Sequence, residues 1–166
     1  MRLLVQRVRE ASVWVANAPV ATIGGGLLVL VGFGSGDHRL QPQDRIWCGM
    51  LDKLLHMRVF PDGGDEEKMA RHVGEFGGSV LLVPQFTLYA DCRKGRRPGF
   101  QDALSPAQAK SLFALWTEAV DAALPSRVFS GIFGASMDVR LCNWGPVTIM
   151  LDSDVLFSRP EDEHAG

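Results

Sequence analysis

Cysteine is scarce in this chain and poorly placed for cross-linking. Cys48, Cys92 and Cys142 stand far apart with no C-x-x-C pair. An odd, scattered set of this kind fits neither a disulfide framework nor a zinc site. Long apolar runs are missing too. The longest, at 27–31, falls far short of the roughly 20 residues that a membrane-spanning helix requires. After Met1 and Arg2 the chain alternates apolar and polar side chains, unlike the continuous apolar stretch of a secretory signal. Neither sign of charge is in excess: 17 Lys and Arg face 19 Asp and Glu, for a net charge of −2. Bulk positive charge therefore cannot be what holds a nucleic acid, although a local basic patch can. Together these absences lead to the expectation of a reduced, soluble, cytoplasmic protein with no membrane partner.

Standard catalytic signatures are absent as well. There is no Walker loop, and the glycines at 24–26 lack both the G-x-G-x-x-G spacing and a following helix. The lack of a G-x-S-x-G elbow argues against an α/β-hydrolase serine. His38, His56, His72 and His164 form neither H-x-x-x-H nor H-E-x-x-H. His56, near a helix end, reads as a solvated or dipole-interacting side chain. Cys142, at a strand end, reads as a core residue rather than a nucleophile. No metal and no cofactor is expected.

What is present is an ordinary globular composition, 46% hydrophobic and 22% charged, in 166 residues. That length suits one domain with a full core. Glycine is the exception: 18 residues, above the usual share of about 7%. Glycine supplies positive φ and close backbone approach. Period-2 patterning predicts strands at 3–8 and 11–15, then a hairpin into 20–23. The apolar run at 27–31 suits a strand buried on both faces. Ile46, Trp47, Met50, Leu51, Leu54 and Leu55 share one helical stripe, predicting a helix over 42–57. A short strand at 58–60, an acidic loop at 61–67 and a buried strand at 80–83 follow. Ser105, Pro106 and Gln108 make a capping box with proline in the first turn. They open a second helix through Leu112, Phe113, Trp116 and Val120, which Pro125 stops. Strands at 127–133, 137–142 and 147–151 complete the expected α/β domain, with a turn at 143–146 and two principal helices.

Three segments are candidates for function. In the first, Pro84 removes a ladder donor from a strong strand and marks an edge, bulge or end. Gln85 beside it faces either a site or water. In the second, Arg93, Lys94, Arg96 and Arg97 place four positive charges within five residues of a net-negative chain. They either neutralise phosphates or form a solvated loop. In the third, Gly145-Pro146 restricts the glycine to extended backbone and is an X-Pro bond, trans by default and able to be cis.

These segments together resemble the D-aminoacyl-tRNA deacylases, trans-acting enzymes that clear D-amino acids from tRNA. The likeness runs end to end, through Gln6-Arg7-Val8, Gln85-Phe86-Thr87-Leu88-Tyr89-Ala90-Asp91 and Arg93-Lys94-Gly95-Arg96-Arg97-Pro98. It continues through Gly131, Phe133-Gly134-Ala135 and Met137 to Asn143 and Gly145-Pro146-Val147-Thr148. The resemblance implies mixed, barrel-like sheets in a single domain over 1–157, with 158–166 as a polar tail. It also implies a cytoplasmic homodimer whose substrate is the 3′ end of aminoacyl-tRNA. Gly145 and Pro146 of one subunit would enter the other's pocket as a cis pair, braced by Arg7, and exclude L side chains. Phe133 would stack on the terminal adenine and Met137 would line the same pocket. Gln85, Phe86 and Thr87 would border the scissile ester and offer backbone donors to the oxyanion. The implied reaction needs no metal, serine or histidine, because the neighbouring ribose hydroxyl assists the attacking water. Thr87 invites assignment as a nucleophile, but β-propensity alone places threonine in strands, and no base adjoins it in sequence.

The chain departs from the family pattern at several points. Pro84 replaces the usual serine and resembles a related branch that removes L-alanine from mischarged tRNA. Trp144 is bulkier than expected, Ala70 stands where asparagine is usual, and Gly99 replaces a serine. These bear on substrate range. The leading expectation is hydrolysis of D-aminoacyl-tRNA and, by the same exclusion, glycyl-tRNA. The alternatives are an L-alanyl-tRNA deacylase and a non-catalytic RNA-binding dimer.

Overall fold

The computed structural model describes residues 1–63 and 68–157. Its spine is β1 (Arg2–Val15), one continuous strand where the sequence pattern predicts two. The polar pair Arg9-Glu10 reads as a break. It is instead a bulge: Val8 pairs with Asn143 and Glu10 with Cys142, so Arg9 is an extra residue on β1. An extra residue flips the side-chain alternation. Leu3, Val5 and Arg7 therefore face one side of the sheet, and Ala11 and Val13 the other.

β1 pairs along one edge with β2 (Ala18–Ile23) and then β3 (Gly26–Gly32), both antiparallel. β3 continues in parallel to β4 (Ser79–Pro84), and β4 to β5 (Val128–Ser130). The other edge of β1 carries β6 (Asp138–Asp152). These six strands form one mixed sheet among the described residues. The sheet curls until β2 touches β4 and β5.

Helix α1 (Arg45–His56) is the β3-to-β4 crossover's main element, followed by the single turn α2 (Val73–Phe76). The long α3 (Pro106–Ala123) joins β4 to β5, and α4 (Ser153–Phe157) follows β6. The main core lies between one sheet face and α1 and α3. Leu3, Val29 and Leu82 pack there with Trp47, Met50, Leu54 and Trp116. The Trp47 and Trp116 rings meet edge to face at 5.0 Å. A second cluster of Val8, Val13, Ile23, Leu28, Leu81 and Val83 fills the concave side of the curled sheet. β3 and β4 are apolar on both faces, which is why their sequences read as unbroken runs.

Several expectations change in detail. The segment at 58–60 forms an isolated bridge between Phe60 and Arg71 rather than a strand. The expected strand at 127–133 stops at Ser130, after which the chain turns through Gly134 at φ +78. No turn separates 142 from 147, because β6 runs through and accommodates that segment as a bulge. Ser105 precedes α3, but its hydroxyl bonds to Oε1 of Gln108 at 2.8 Å, so no reciprocal box with the backbone forms. Cys142 is exposed, because that part of β6 presents its side chains to solvent. Part of the expected acidic loop (64–67) and the tail (158–166) lie outside the described residues.

The glycines at 24–26 read as a turn, yet Gly26 opens β3. A Cβ there would stand 2.0 Å from the Ser79 carbonyl oxygen. Glycine is what lets β4 approach. Gly26→Ala is expected to cost about 1–3 kcal/mol, read as a lower denaturant midpoint at unchanged slope.

Candidate active site

The parallel strands β4 and β5 end side by side, and α/β folds place ligands beyond such carboxyl ends. A cavity of about 570 Å³ opens there. One wall is Pro84, Gln85 and Phe86, where β4 gives way to a single 3-10 turn (Phe86–Tyr89). The opposite wall is Phe133, Gly134, Ala135 and Met137, on the connection from β5 to β6. The start of α3 and Phe100 complete the rim. The lining is mainly apolar with a few polar groups, the usual make-up of a small-molecule site.

The turn is firmly seated. Gln85 N–H donates to the Val31 carbonyl at 2.7 Å. Tyr89 is buried at the far end beneath the Arg2 guanidinium, 4.4 Å from its ring centre. Burial, reinforced by Asp37, raises the Tyr89 phenol well above its ordinary pKa, so it stays neutral. The Phe86 and Thr87 N–H groups open the turn and have no hydrogen-bond acceptor among the described residues. The Gln85 side-chain amide donates to the Thr87 hydroxyl. No carboxylate or imidazole is bonded to Thr87 among the described residues, so nothing there would activate it as a nucleophile.

On the facing wall, Phe133 is half-buried against Phe113, with ring centres 6.3 Å apart. Gly131 makes room for Met137: a Cβ at 131 would fall 2.7 Å from the Met137 sulfur. Of the residues expected at a site, Gln85, Phe86, Phe133 and Met137 thus converge on one cavity. Thr87 stands one step beyond it.

Arg7, Gly145 and Pro146 form a separate group. Between the pairs Gln6–Thr148 and Val8–Asn143, residues 144–147 of β6 lie opposite Arg7 alone. This bulge carries the Gly145–Pro146 peptide, which is cis. Both residues are exposed. Arg7 is 3% exposed. Its Nε donates to the Trp144 carbonyl at 3.0 Å, Nη2 to the Gly145 carbonyl at 3.2 Å and Nη1 to the Val59 carbonyl. Burial, and then the charge of Arg9, lower the pKa of Arg7, which nevertheless remains a cation. The Trp144 ring takes Arg7 at 4.6 Å and Arg9 at 4.2 Å. Its edge contacts involve Phe60 and Phe76, themselves stacked at 4.4 Å.

The basic segment is a third group. Asp91 and Gly99 exchange two backbone bonds of 2.8 Å that close the loop at its base. Arg93 pairs with both carboxylate oxygens of Asp91, at 2.8 and 2.9 Å, and holds its pKa down at about 2. Lys94, Arg96 and Arg97 are exposed, with no ion pair among the described residues. Four expected phosphate contacts thus divide into one neutralised cation and three open ones. Sequence reasoning missed Phe100, whose signal is its place directly after the loop. It also missed the contribution of Val59, a backbone acceptor that no side-chain pattern marks.

Comparison with known proteins shows the family and the fold. The family model described as D-Tyr-tRNA(Tyr) deacylase matches residues 4–152. A D-aminoacyl-tRNA deacylase of Nitratidesulfovibrio vulgaris strain DP4 is 57% identical over 166 residues, covering all of both chains. The solved structure titled c-Myc DNA Unwinding Element Binding Protein superposes with a TM-score of 0.80 at 34% identity. That match covers 92% of this chain and 98% of the other. A structure titled as a probable eukaryotic D-amino acid tRNA deacylase shares the fold, with a TM-score of 0.74 at 24% identity. It covers 90% of this chain and 97% of the other.

The Arg7 brace has a direct consequence. Lysine offers one compact ammonium where the guanidinium forks to three carbonyls. Arg7→Lys is expected to leave a buried acceptor unmet and to cost about 1–3 kcal/mol, measured by denaturant titration.

Proposed function

This chain belongs to the D-Tyr-tRNA(Tyr) deacylase family, and from that premise we propose that it is a translation quality-control hydrolase. Its reaction is cleavage of the ester between a D-amino acid and the terminal ribose of tRNA, in the cytoplasm. The observation that carries this reading is the cavity that brings Gln85 and Phe86 to face Phe133 and Met137.

In this reading the terminal adenine stacks on Phe133 beside Met137, and the ester carbonyl lies against the 86–87 turn. Water adds to the carbonyl carbon, and the tetrahedral oxyanion takes hydrogen bonds from the free Phe86 and Thr87 N–H groups. Donors fixed in advance stabilise such charge without reorganising at the moment of reaction. Collapse breaks the C–O bond to the ribose. The ribose oxygen gains a proton and the amino acid leaves as a carboxylate. The neighbouring ribose hydroxyl positions the water, so no side-chain base is required.

Selectivity comes from a second copy of the chain. Gly145 and Pro146 are exposed on the β6 bulge, and β6 also presents Leu141 and Met150 at 37% and 50% exposure. A partner docked there receives Gly145 and Pro146 in its own cavity. The pair, anchored through the Arg7 bond to the Gly145 carbonyl, leaves no space on the face an L side chain needs. Glycine has no side chain to exclude, so glycyl-tRNA is cleaved as well. The open cations Lys94, Arg96 and Arg97 meet the phosphates of the acceptor end.

The test is release of amino acid from D- and L-tyrosyl-tRNA by the purified protein. D-tyrosine release at a rate far above L-tyrosine is expected. Equal rates, or release of neither, would sink the chiral reading. Cleavage of L-alanyl-tRNA alone would instead give Pro84, in the cavity wall, the role of a specificity switch. Phosphate contact predicts a further result. The double substitution Arg96→Ala/Arg97→Ala should reduce the slope of log KM against log salt concentration by roughly 1–2.

A further inference from the structure

Phe86 and Phe100 stand together at the rim of the cavity. They are 55% and 39% exposed, and their rings meet edge to face at 5.0 Å and 66°. Single exposed apolar side chains are commonplace, but paired aromatics at a cavity mouth mark a contact surface. A tilted pair also leaves a ring face that its partner does not cover. Phe100 follows directly on the basic loop, whose base is closed by the two Asp91–Gly99 bonds. Lys94, Arg96 and Arg97 are therefore tethered close to the rings, and only Arg93 has its charge met, by Asp91.

Resting on the function proposed above, we infer that Phe86 and Phe100, flanked by Lys94, Arg96 and Arg97, form a stacking platform for the nucleotide preceding the terminal adenosine. A cavity of about 570 Å³ is of the size that encloses one small ligand, here a single aminoacylated nucleoside. The rest of the strand must leave over the rim. The 3′ end of tRNA is single-stranded there, so its bases are free to stack on aromatic faces. Aromatic faces beside a cationic track are the usual device for holding single strands without reading sequence. That suits an ending common to all tRNAs. Charge complementarity favours this occupant over a protein surface, since an apolar partner would gain nothing from three open cations beside it.

Binding of the trinucleotide CpCpA and of AMP to the full-length protein tests the platform by calorimetry at low salt. Wild type, Phe100→Ala and Phe100→Trp are compared. CpCpA is expected to bind wild type at least about five-fold more tightly than AMP. Phe100→Ala should lose that margin and Phe100→Trp should recover it. No CpCpA binding, equal affinity for both ligands, or a margin retained in Phe100→Ala would overturn the proposal. So would a change of oligomeric state in Phe100→Ala by light scattering, which would make the rim a contact between copies. Deacylation of D-tyrosyl-tRNA is followed on the same samples. Its absence in wild type rejects the editing reading alone, while a CpCpA margin that depends on Phe100 still establishes an RNA-binding rim.

Discussion

The Arg7 guanidinium is held by the carbonyls of Val59, Trp144 and Gly145 and meets no carboxylate among the described residues. Burying a cation without a counter-ion is costly, and backbone dipoles repay that cost only if several converge on one point. The convergence dictates the shape of everything nearby. Residues 144–147 must bulge from β6 so that two of their carbonyls face inward. The 58–60 segment must pass close enough for Val59 to supply the third. Trp144, lying under Arg7 and Arg9, is a further consequence: its π face takes up the charge of Arg7, for which the described residues supply no carboxylate.

The brace has reach because of where it sits. Arg7 lies on β1, a strand hydrogen-bonded on both edges, to β3 on one side and β6 on the other. A side chain fixed to the middle of the sheet transmits the sheet's rigidity to an otherwise exposed bulge. From β3 the same rigid body runs through β4 to the cavity wall at 84–86. The exposed Gly145–Pro146 bulge and the Phe86–Thr87 donors are thus two ends of one framework. On the proposed reading they act in different cavities, one in each subunit. A filter that works by exclusion needs that rigidity, because a wall that yields by an ångström excludes nothing.

Much of this was legible in the residues. The apolar stripe from Ile46 to Leu55 and the start of α3 at Pro106 followed from helical period and proline placement. The double-faced burial of β3 followed from its unbroken apolar run. The family likeness brought Gln85, Phe86, Phe133 and Met137 forward, and they share one cavity. What escaped were features written in backbone. Arg9-Glu10 looks like a strand end because a bulge and a break have the same polar signature. Residues 143–146 look like a turn because Gly-Pro usually makes one, and only pairing to β1 on both sides shows a strand continuing. Gly26 reads as loop because sequence cannot show the Ser79 carbonyl lying against its α-carbon. Arg93 reads as one cation among four, and its neutralisation depends on how Asp91 folds back toward it.

The scarcity of titratable groups around the cavity bears on the chemistry itself. An enzyme that drives a difficult cleavage surrounds the reacting atoms with tuned acids and bases. Here the walls are aromatic and aliphatic, with an amide, a serine hydroxyl and backbone groups as their polar complement. An aminoacyl ester is already activated, with an ammonium beside its carbonyl and a hydroxyl on the adjacent ribose carbon. On the proposed reading the protein's remaining tasks are to hold the nucleoside, present two fixed donors and keep out the wrong enantiomer. Each can be met by main-chain atoms locked in place by distant side chains. On that reading the glycine-rich character of the chain has a purpose: close backbone approach, which supports the sheet at Gly26, is also the means of selection.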